Sequence, residues 1–262
     1  SVTPIAPDPI EEPFMISPTP EPTDAPLHVL AQTGRLPDHQ YLDQHTLTWI
    51  AGHRPTGPGV RATMPHRPVL LVPDDSWFAS PAVIDSIHGS RHNARVALLV
   101  QLLAHHHGLD HGSALALAAA AACHDCRRHH DRDDPGHGQR AARWLAGNLD
   151  TVAAAFGKTV TAETITAVYL HDHPYDAFTD DQARAYRRSS LLVDLLKAAD
   201  ALDRYRLPLA RWWPDLSRLR VAVPAWLLPI AFDLVLHSEQ ARLDGAAHRE
   251  ALDHALHTVL PE

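Results

Sequence analysis

The chain has 262 residues, of which 45% are hydrophobic, and its formal net charge is −8 with histidines neutral. This length allows one large domain, or one domain plus an ordered extension. The acidic balance and the lack of a block rich in lysine and arginine argue against binding to duplex nucleic acid. No apolar run reaches the roughly 18 residues that a membrane span needs. With only two cysteines and no secretory signal pattern, we expect a cytoplasmic protein without a disulfide framework.

The pattern of the first 81 residues predicts an N-terminal extension. Residues 1–27 contain eight prolines among acidic and small residues, which predicts an extended or disordered segment that is dispensable for folding and turnover. Residues 28–55 allow a short helix, and Val69–Val72 lies between prolines as an edge strand or an extended segment pinned to the domain. The apolar anchors expected in residues 28–55 are Leu30, Leu42, Leu47 and Ile50.

From residue 82 onward the apolar residues recur at helical spacing, which predicts an all-α domain over residues 82–262. The first helix is expected from Asp85 to His107. The second would start at Ser113 as N-cap and is apolar all round, so it should be buried. The third would use Asp134 as N-cap and Pro135 at its first position. Further helices are expected at about 161–172, 185–206, 223–242 and 246–259.

Several ionisable residues fall on the inward side of these predicted helices. His92 lies on the apolar stripe of the first helix, His124 and Asp125 close the alanine-rich second helix, and Asp200 follows Leu196 by one turn. Burying an ionised aspartate costs about several kcal/mol of folding free energy unless the carboxylate is paired or binds a metal. Two histidines and two aspartates on three helices suit a divalent ion with mixed nitrogen and oxygen ligation, such as Mn or Fe.

Three stretches carry a family resemblance: Ile87–Val96 with His92, Cys123–Arg128 with His124 and Asp125, and Lys197–Arg204 with Asp200. Their order and spacing resemble the HD-domain superfamily of metal-dependent phosphohydrolases. The resemblance implies an HD-domain helical bundle with a metal ion held by His92, His124, Asp125 and Asp200. Residues 133–142 and 169–171 also resemble segments of that family, which implies a second ion held with His137 and His171.

The resemblance further implies a reaction, which is hydrolysis of a phosphoester by a metal-activated water. The substrate would be a nucleotide or another small phosphorylated metabolite, and one or two divalent ions (Mn, Fe, Mg, Co, Ni or Zn) would be bound. The catalytic residues would be Asp125, Arg128 and Lys197. The substrate-binding residues would be Arg95, Arg128, Lys197 and Arg204.

The sequence departs from the family pattern at two places and leaves alternatives open. Arg128 stands where many members have lysine, and Ala198 interrupts the common Asp-Ala-Asp form of the last motif. Arg95 and Arg204 could instead pair with Asp203. A diiron oxygenase on the same fold and a non-catalytic nucleotide-binding module are the rival functions. The oligomeric state and the role of residues 1–81 are not indicated by the sequence.

Overall fold

A computed structural model describes residues 25–55 and 67–260, and within these ranges the chain is all-α, with short 3-10 turns and no β-strand. The helices are α1 (Leu27–Gln32), α2 (Gln44–Gly52), α3 (Ser90–His106), α4 (His111–Ala121), α5 (His137–Gly147), α6 (Leu149–Phe156), α7 (Ala162–Leu170), α8 (Asp180–Leu202), α9 (Leu227–Leu243) and α10 (His248–Val259). No helix in the described ranges is both long enough and apolar enough to cross a membrane. The prediction for residues 1–27 falls almost wholly outside the described residues.

Helix α3 is the centre of the fold. Every residue from Ser90 to Ala104 is buried, because α4, α8, α9 and α10 all pack against this helix. The neighbouring α4 is buried from Ala114 to Ala121, as its apolar composition predicts, and its alanines leave room for α3 to approach closely. A helix enclosed in this way can carry polar side chains only where each one finds a partner.

The buried side chain of Gln101 has such a partner in the backbone of Val69. Its side-chain oxygen accepts a hydrogen bond from the Val69 nitrogen at 2.8 Å, and its amide donates to the Val69 carbonyl at 2.9 Å. The stretch Val69–Val72 is therefore an extended segment pinned to the domain, and it forms no strand.

Three predicted helix starts, those of α3, α4 and α5, were wrong, and only α4 has a side-chain cap in place of the predicted one. Helix α3 begins at Ser90 rather than Asp85, since Gly89 sits against the preceding turn, where a Cβ would lie 2.1 Å from the Ile84 carbonyl. Helix α4 is capped by Asp110, whose carboxylate accepts from the nitrogen of Ser113, the residue predicted as the cap. The sequence analysis also did not predict α6, which is only eight residues long.

Helix α5 starts at His137, and Asp134 does not cap it. The chain turns into the helix through Gly136 with φ +77°, a left-handed conformation that favours glycine. The Asp134 carboxylate instead accepts from the His129 nitrogen at 2.9 Å and from Arg140 at 2.6 Å. This arrangement places His137 at the first position of α5, facing inward.

The N-terminal extension packs on the helical domain. Its predicted anchors are all buried: Leu30, Leu42, Leu47 and Ile50. Gln40 joins the two parts, because its nitrogen donates to the Asp131 carboxylate at 2.7 Å and its carbonyl accepts from the Ile87 nitrogen at 2.9 Å. The segment between α1 and α2 therefore lies next to the start of α3.

An ion-pair network ties α9 to the start of α3. The Asp85 carboxylate accepts from Arg91 at 2.5 Å and from Arg242 at 2.9 and 3.0 Å. Burial alone would raise the pKa of Asp85, but Arg242 and Arg91 together lower it to about 2. Because the pKa of Asp85 is lowered in the folded state, this pairing stabilises the protein at pH values above 3.8, the ordinary pKa of the group.

We expect this stabilisation to be lost as the pH falls from 3.8 toward about 2. Asp85→Asn should therefore show a weaker dependence of unfolding free energy on pH across that window than the wild type. Urea unfolding at a series of acidic pH values measures both curves. Equal pH dependence of the unfolding free energy in the two proteins would contradict the stabilising role of the Asp85 ion pairs.

Candidate metal centre

The six residues predicted as metal ligands come together at one place beside α3. His92 Nε2 lies 3.5 Å from an oxygen of Asp125 and 3.5 Å from one of Asp200. His124 Nε2 lies 3.9 Å from an oxygen of each of the same two aspartates. From the other side, His137 Nε2 and His171 Nε2 lie 3.0 and 3.3 Å from Asp125 Oδ1.

Three of these histidines are oriented by the same kind of local hydrogen bond. The Nδ1 atoms of His124, His137 and His171 each lie 2.7–2.8 Å from the backbone carbonyl three residues earlier in the chain. A carbonyl oxygen only accepts, so each Nδ1 carries a proton, and in the neutral ring each Nε2 is left with a lone pair. All three Nε2 atoms therefore point toward Asp125.

His92 is fixed in the same tautomer by a side chain. Its Nδ1 lies 2.8 Å from Asp203 Oδ2, and Asp203 is itself held by Arg95 through bonds of 2.7 and 3.0 Å. All three residues are buried. A carboxylate behind an imidazole orients the ring and raises its basicity as a ligand.

Asp125 is the residue that both groups of histidines share. Its Oδ1 faces His137 and His171, whereas its Oδ2 faces His88 at 2.9 Å and His92. The Asn93 side chain fixes its backbone by accepting from the Asp125 nitrogen at 3.0 Å. Burial would raise the pKa of Asp125, but His137 and Arg128 hold it well below its usual range, so the carboxylate is ionised.

The arrangement fits a divalent metal ion. His124 Nε2 is buried without any hydrogen-bond partner, although a buried polar atom is normally satisfied. Burial lowers the pKa of His124 to about 3, so the ring is neutral and its lone pair is free for a ligand bond. His124 belongs to two sets of possible ligand atoms that lie within 4.8 Å of one another, one with His92 and Asp200 and one with Asp125 and His171.

Gly138 allows the second group of histidines to form. A Cβ at this position would lie 2.6 Å from Asp172 Oδ1 and 2.9 Å from the Val168 carbonyl, so α5 can approach the end of α7 only because residue 138 has no side chain. This approach leaves His137 Nε2 and His171 Nε2 only 3.1 Å apart.

Gly138→Ala is expected to separate these two histidines and to lower the metal content from up to two ions toward one per chain. Gly147→Ala, at the far end of the same helix, is the matched control, since a Cβ there meets nothing within 4 Å. Metal analysis of both purified variants measures the effect. Equal metal content in the two variants would show that the spacing of α5 and α7 does not set the stoichiometry.

Two residues of the site were missed by the sequence analysis. His88 lies one turn before His92 and was part of the quoted motif, so its spacing could have identified it. Arg206 is buried, and its Nη2 lies 3.1 Å from His88 Nδ1 and 3.5 Å from His92 Nε2. Its side chain reaches back from the turn after α8, a direction that helical periodicity does not reveal.

A cavity of about 760 Å³ opens onto the site. Its walls include the candidate ligands Asp125, His137, His171 and Asp200 together with five arginines and residues of the N-terminal extension. The arginines are Arg128, Arg132, Arg204, Arg206 and Arg211. The extension therefore contributes to the cavity, a role that the sequence did not indicate.

Two residues expected to bind substrate have other partners. The guanidinium of Arg95 is buried between Asp203 and Glu239, so it has no free edge for a phosphate. Lys197 donates to the backbone carbonyls of His171 and His173 at 2.8 and 2.6 Å. In this structure Arg95 orients Asp203, and Lys197 fastens the end of α7 that carries His171, so their predicted contact with substrate stays a prediction.

The other two predicted arginines do line the cavity. Arg128 places Nη1 3.7 Å from Asp125 Oδ2 and 3.2 Å from His137 Nε2. Arg204 is exposed, and its Nε donates to the Trp212 carbonyl at 2.6 Å. Arg128 is thus adjacent to the candidate ligands, whereas Arg204 lines the cavity at an exposed position.

No protein-family model, curated protein or solved structure matches this chain at a significant level. The resemblance to the HD-domain superfamily therefore stays a prediction, which depends on the motifs named above.

Proposed function

We propose that the chain is a metal-dependent phosphohydrolase of the HD type. The observation that carries the proposal is the convergence of four imidazole Nε2 atoms on Asp125 and Asp200, next to a cavity with arginines in its wall. Histidine and carboxylate ligands suit catalytic divalent ions, and arginines suit the phosphoryl oxygens of a substrate.

The proposed ligands divide into two groups that share Asp125. His92, His124, Asp125 and Asp200 would hold one ion, and His137 and His171 together with Asp125 would hold a second ion. A divalent ion at such a site supplies a bound water whose pKa is lowered to about 7, so that a nucleophile is available at neutral pH.

The remaining groups position the substrate and the ligands. Arg128 lies beside Asp125 at the cavity wall, where its guanidinium can bind a phosphoryl oxygen. Asp203 keeps His92 in the tautomer that presents Nε2. The extension supplies part of the cavity wall, which would limit the size of the group attached to the phosphate.

A diiron oxygenase would use a similar set of histidines and aspartates. The arginines around the cavity favour an anionic substrate and therefore favour the phosphohydrolase over this rival. A non-catalytic nucleotide-binding module would not require the convergence of four imidazole lone pairs.

Metal analysis of the purified protein, combined with a screen of nucleotides and sugar phosphates in the presence of Mn²⁺, Mg²⁺, Co²⁺ or Ni²⁺, tests the proposal. We expect one or two ions per chain and release of inorganic phosphate from at least one substrate class. Bound iron with oxygen consumption and no phosphate release would favour the oxygenase. Absence of bound metal under all conditions would favour the binding module.

A further inference from the structure

Two buried arginines lie near the proposed metal ligand His92. Arg95 contacts it through Asp203, whereas Arg206 lies directly beside it. Arg95 is paired with two buried carboxylates, Asp203 and Glu239, and these raise its pKa despite burial. Arg206 is paired less closely. Its contact with Asp203 is 3.6 Å, and its Nη1 is buried without a hydrogen-bond partner.

The charge of Arg206 is therefore incompletely compensated. Arginine stays protonated in proteins, so the positive charge remains in place. A buried charge without a full partner costs free energy, and a bound anion would recover it.

The position of the guanidinium is fixed from one side only. Its Nε donates to the Ile87 carbonyl at 2.6 Å, which holds the group against the start of α3. Its Nη2 lies near two imidazole nitrogens, His88 Nδ1 at 3.1 Å and His92 Nε2 at 3.5 Å.

Each of these two imidazole nitrogens has another partner that competes with Arg206. His92 Nε2 is a proposed metal ligand, and an ion bound there would use its lone pair. His88 Nδ1 also lies 2.9 Å from Asp125 Oδ2, and one nitrogen cannot donate to that carboxylate and accept from Arg206 at the same time. A metal-loaded site would thus leave Arg206 close to a second positive charge, which favours an anion bound between them.

We propose that Arg206 is an anion-binding residue of this cavity and that it binds a phosphoryl oxygen of the substrate. The ligand class is a phosphate monoanion or dianion, including inorganic phosphate itself. The inference deepens the proposed function and rests on it for the identity of the anion, but phosphate binding can be measured without turnover. Arg206 was not among the substrate-binding residues predicted from the sequence.

The test measures the affinity of inorganic phosphate for the Mn²⁺-loaded protein by titration calorimetry, with metal content and melting temperature recorded for every variant. Arg206→Gln is expected to weaken phosphate binding about tenfold or more, because a hydrogen-bonded charge is lost. Arg206→Lys should fall between this variant and the wild type, since a point charge replaces a planar fork. Arg218→Gln is the control for net charge, because its side chain is 84% exposed.

Wild-type phosphate affinity in Arg206→Gln at full metal content would overturn the inference and leave Arg206 as a structural residue. If Arg206→Gln does not fold, Arg206→Lys decides alone, and an affinity equal to that of the wild type overturns the inference. A wild-type protein that binds phosphate through Arg206 but hydrolyses no phosphoester would contradict the proposed function and support this inference. If no metal binds, the same comparison is made with the metal-free protein.

Discussion

Replacing His124 and Asp125 together by alanine is expected to abolish metal binding and phosphoester hydrolysis while leaving a folded helical protein. His124 supplies the buried Nε2 that has no partner, and Asp125 is the carboxylate that both groups of histidines share. Their removal deletes a ligand from each side of the centre. Metal analysis, phosphate release and far-UV circular dichroism measure the three expected results.

Thermal unfolding adds a readout that does not depend on the substrate. Metal at about 100 times its dissociation constant stabilises a folded protein by about 2.7 kcal/mol. For a chain of this size that raises the melting temperature by about 5–10 °C. We expect the increase in the wild type and in His129→Ala, whose side chain is exposed in the same turn, and none in the double variant. Full metal content in the double variant would rule out this site.

The convergence of the candidate ligands could be predicted because each is placed by local features of the sequence. His124 and Asp125 directly follow a buried alanine helix, and Asp200 lies one turn after Leu196 on α8. In such positions helical periodicity and burial fix the direction of a short side chain. The all-α fold class follows from the same periodicity.

The arginines and the lysine could not be assigned in this way. Their side chains are long, and their partners are distant in the sequence: Arg95 contacts Asp203 and Glu239, which are 108 and 144 residues away. Nothing in the local pattern distinguishes an arginine that faces a cavity from one that pairs with a distant carboxylate. The helix starts failed for a related reason, because Asp110 and Ser113 are both good caps and only the fold shows which one is used.

Glu239 on α9 connects the C-terminal helices to the metal centre. Its Oε1 accepts from Arg95 at 2.6 Å, its Oε2 accepts from Arg91 at 2.7 and 3.0 Å, and the side chain is buried. Burial would raise the pKa of Glu239, but Arg91 and Arg95 lower it, so the group is ionised at neutral pH. Arg95 in turn holds Asp203, which orients His92.

Glu239→Ala is expected to destabilise the protein by about 3–5 kcal/mol, because it leaves two buried guanidiniums with one carboxylate fewer. The melting temperature should fall by about 10 °C or more. Since the substitution also loosens Arg95 and Asp203 behind His92, metal affinity should weaken by about tenfold. Glu239→Gln, which keeps one acceptor, should lie between this variant and the wild type in both measurements.

Glu250→Ala is the matched control, because Glu250 is exposed in the first turn of α10 and its loss should cost about 1 kcal/mol or less. Thermal unfolding and a metal titration on the three variants separate the two effects of Glu239. A large loss of stability with unchanged metal affinity would restrict Glu239 to packing α9 against α3. A melting temperature within about 2 °C of the wild type would contradict the buried pairing itself, since a carboxylate shared by two enclosed arginines cannot be removed at so small a cost.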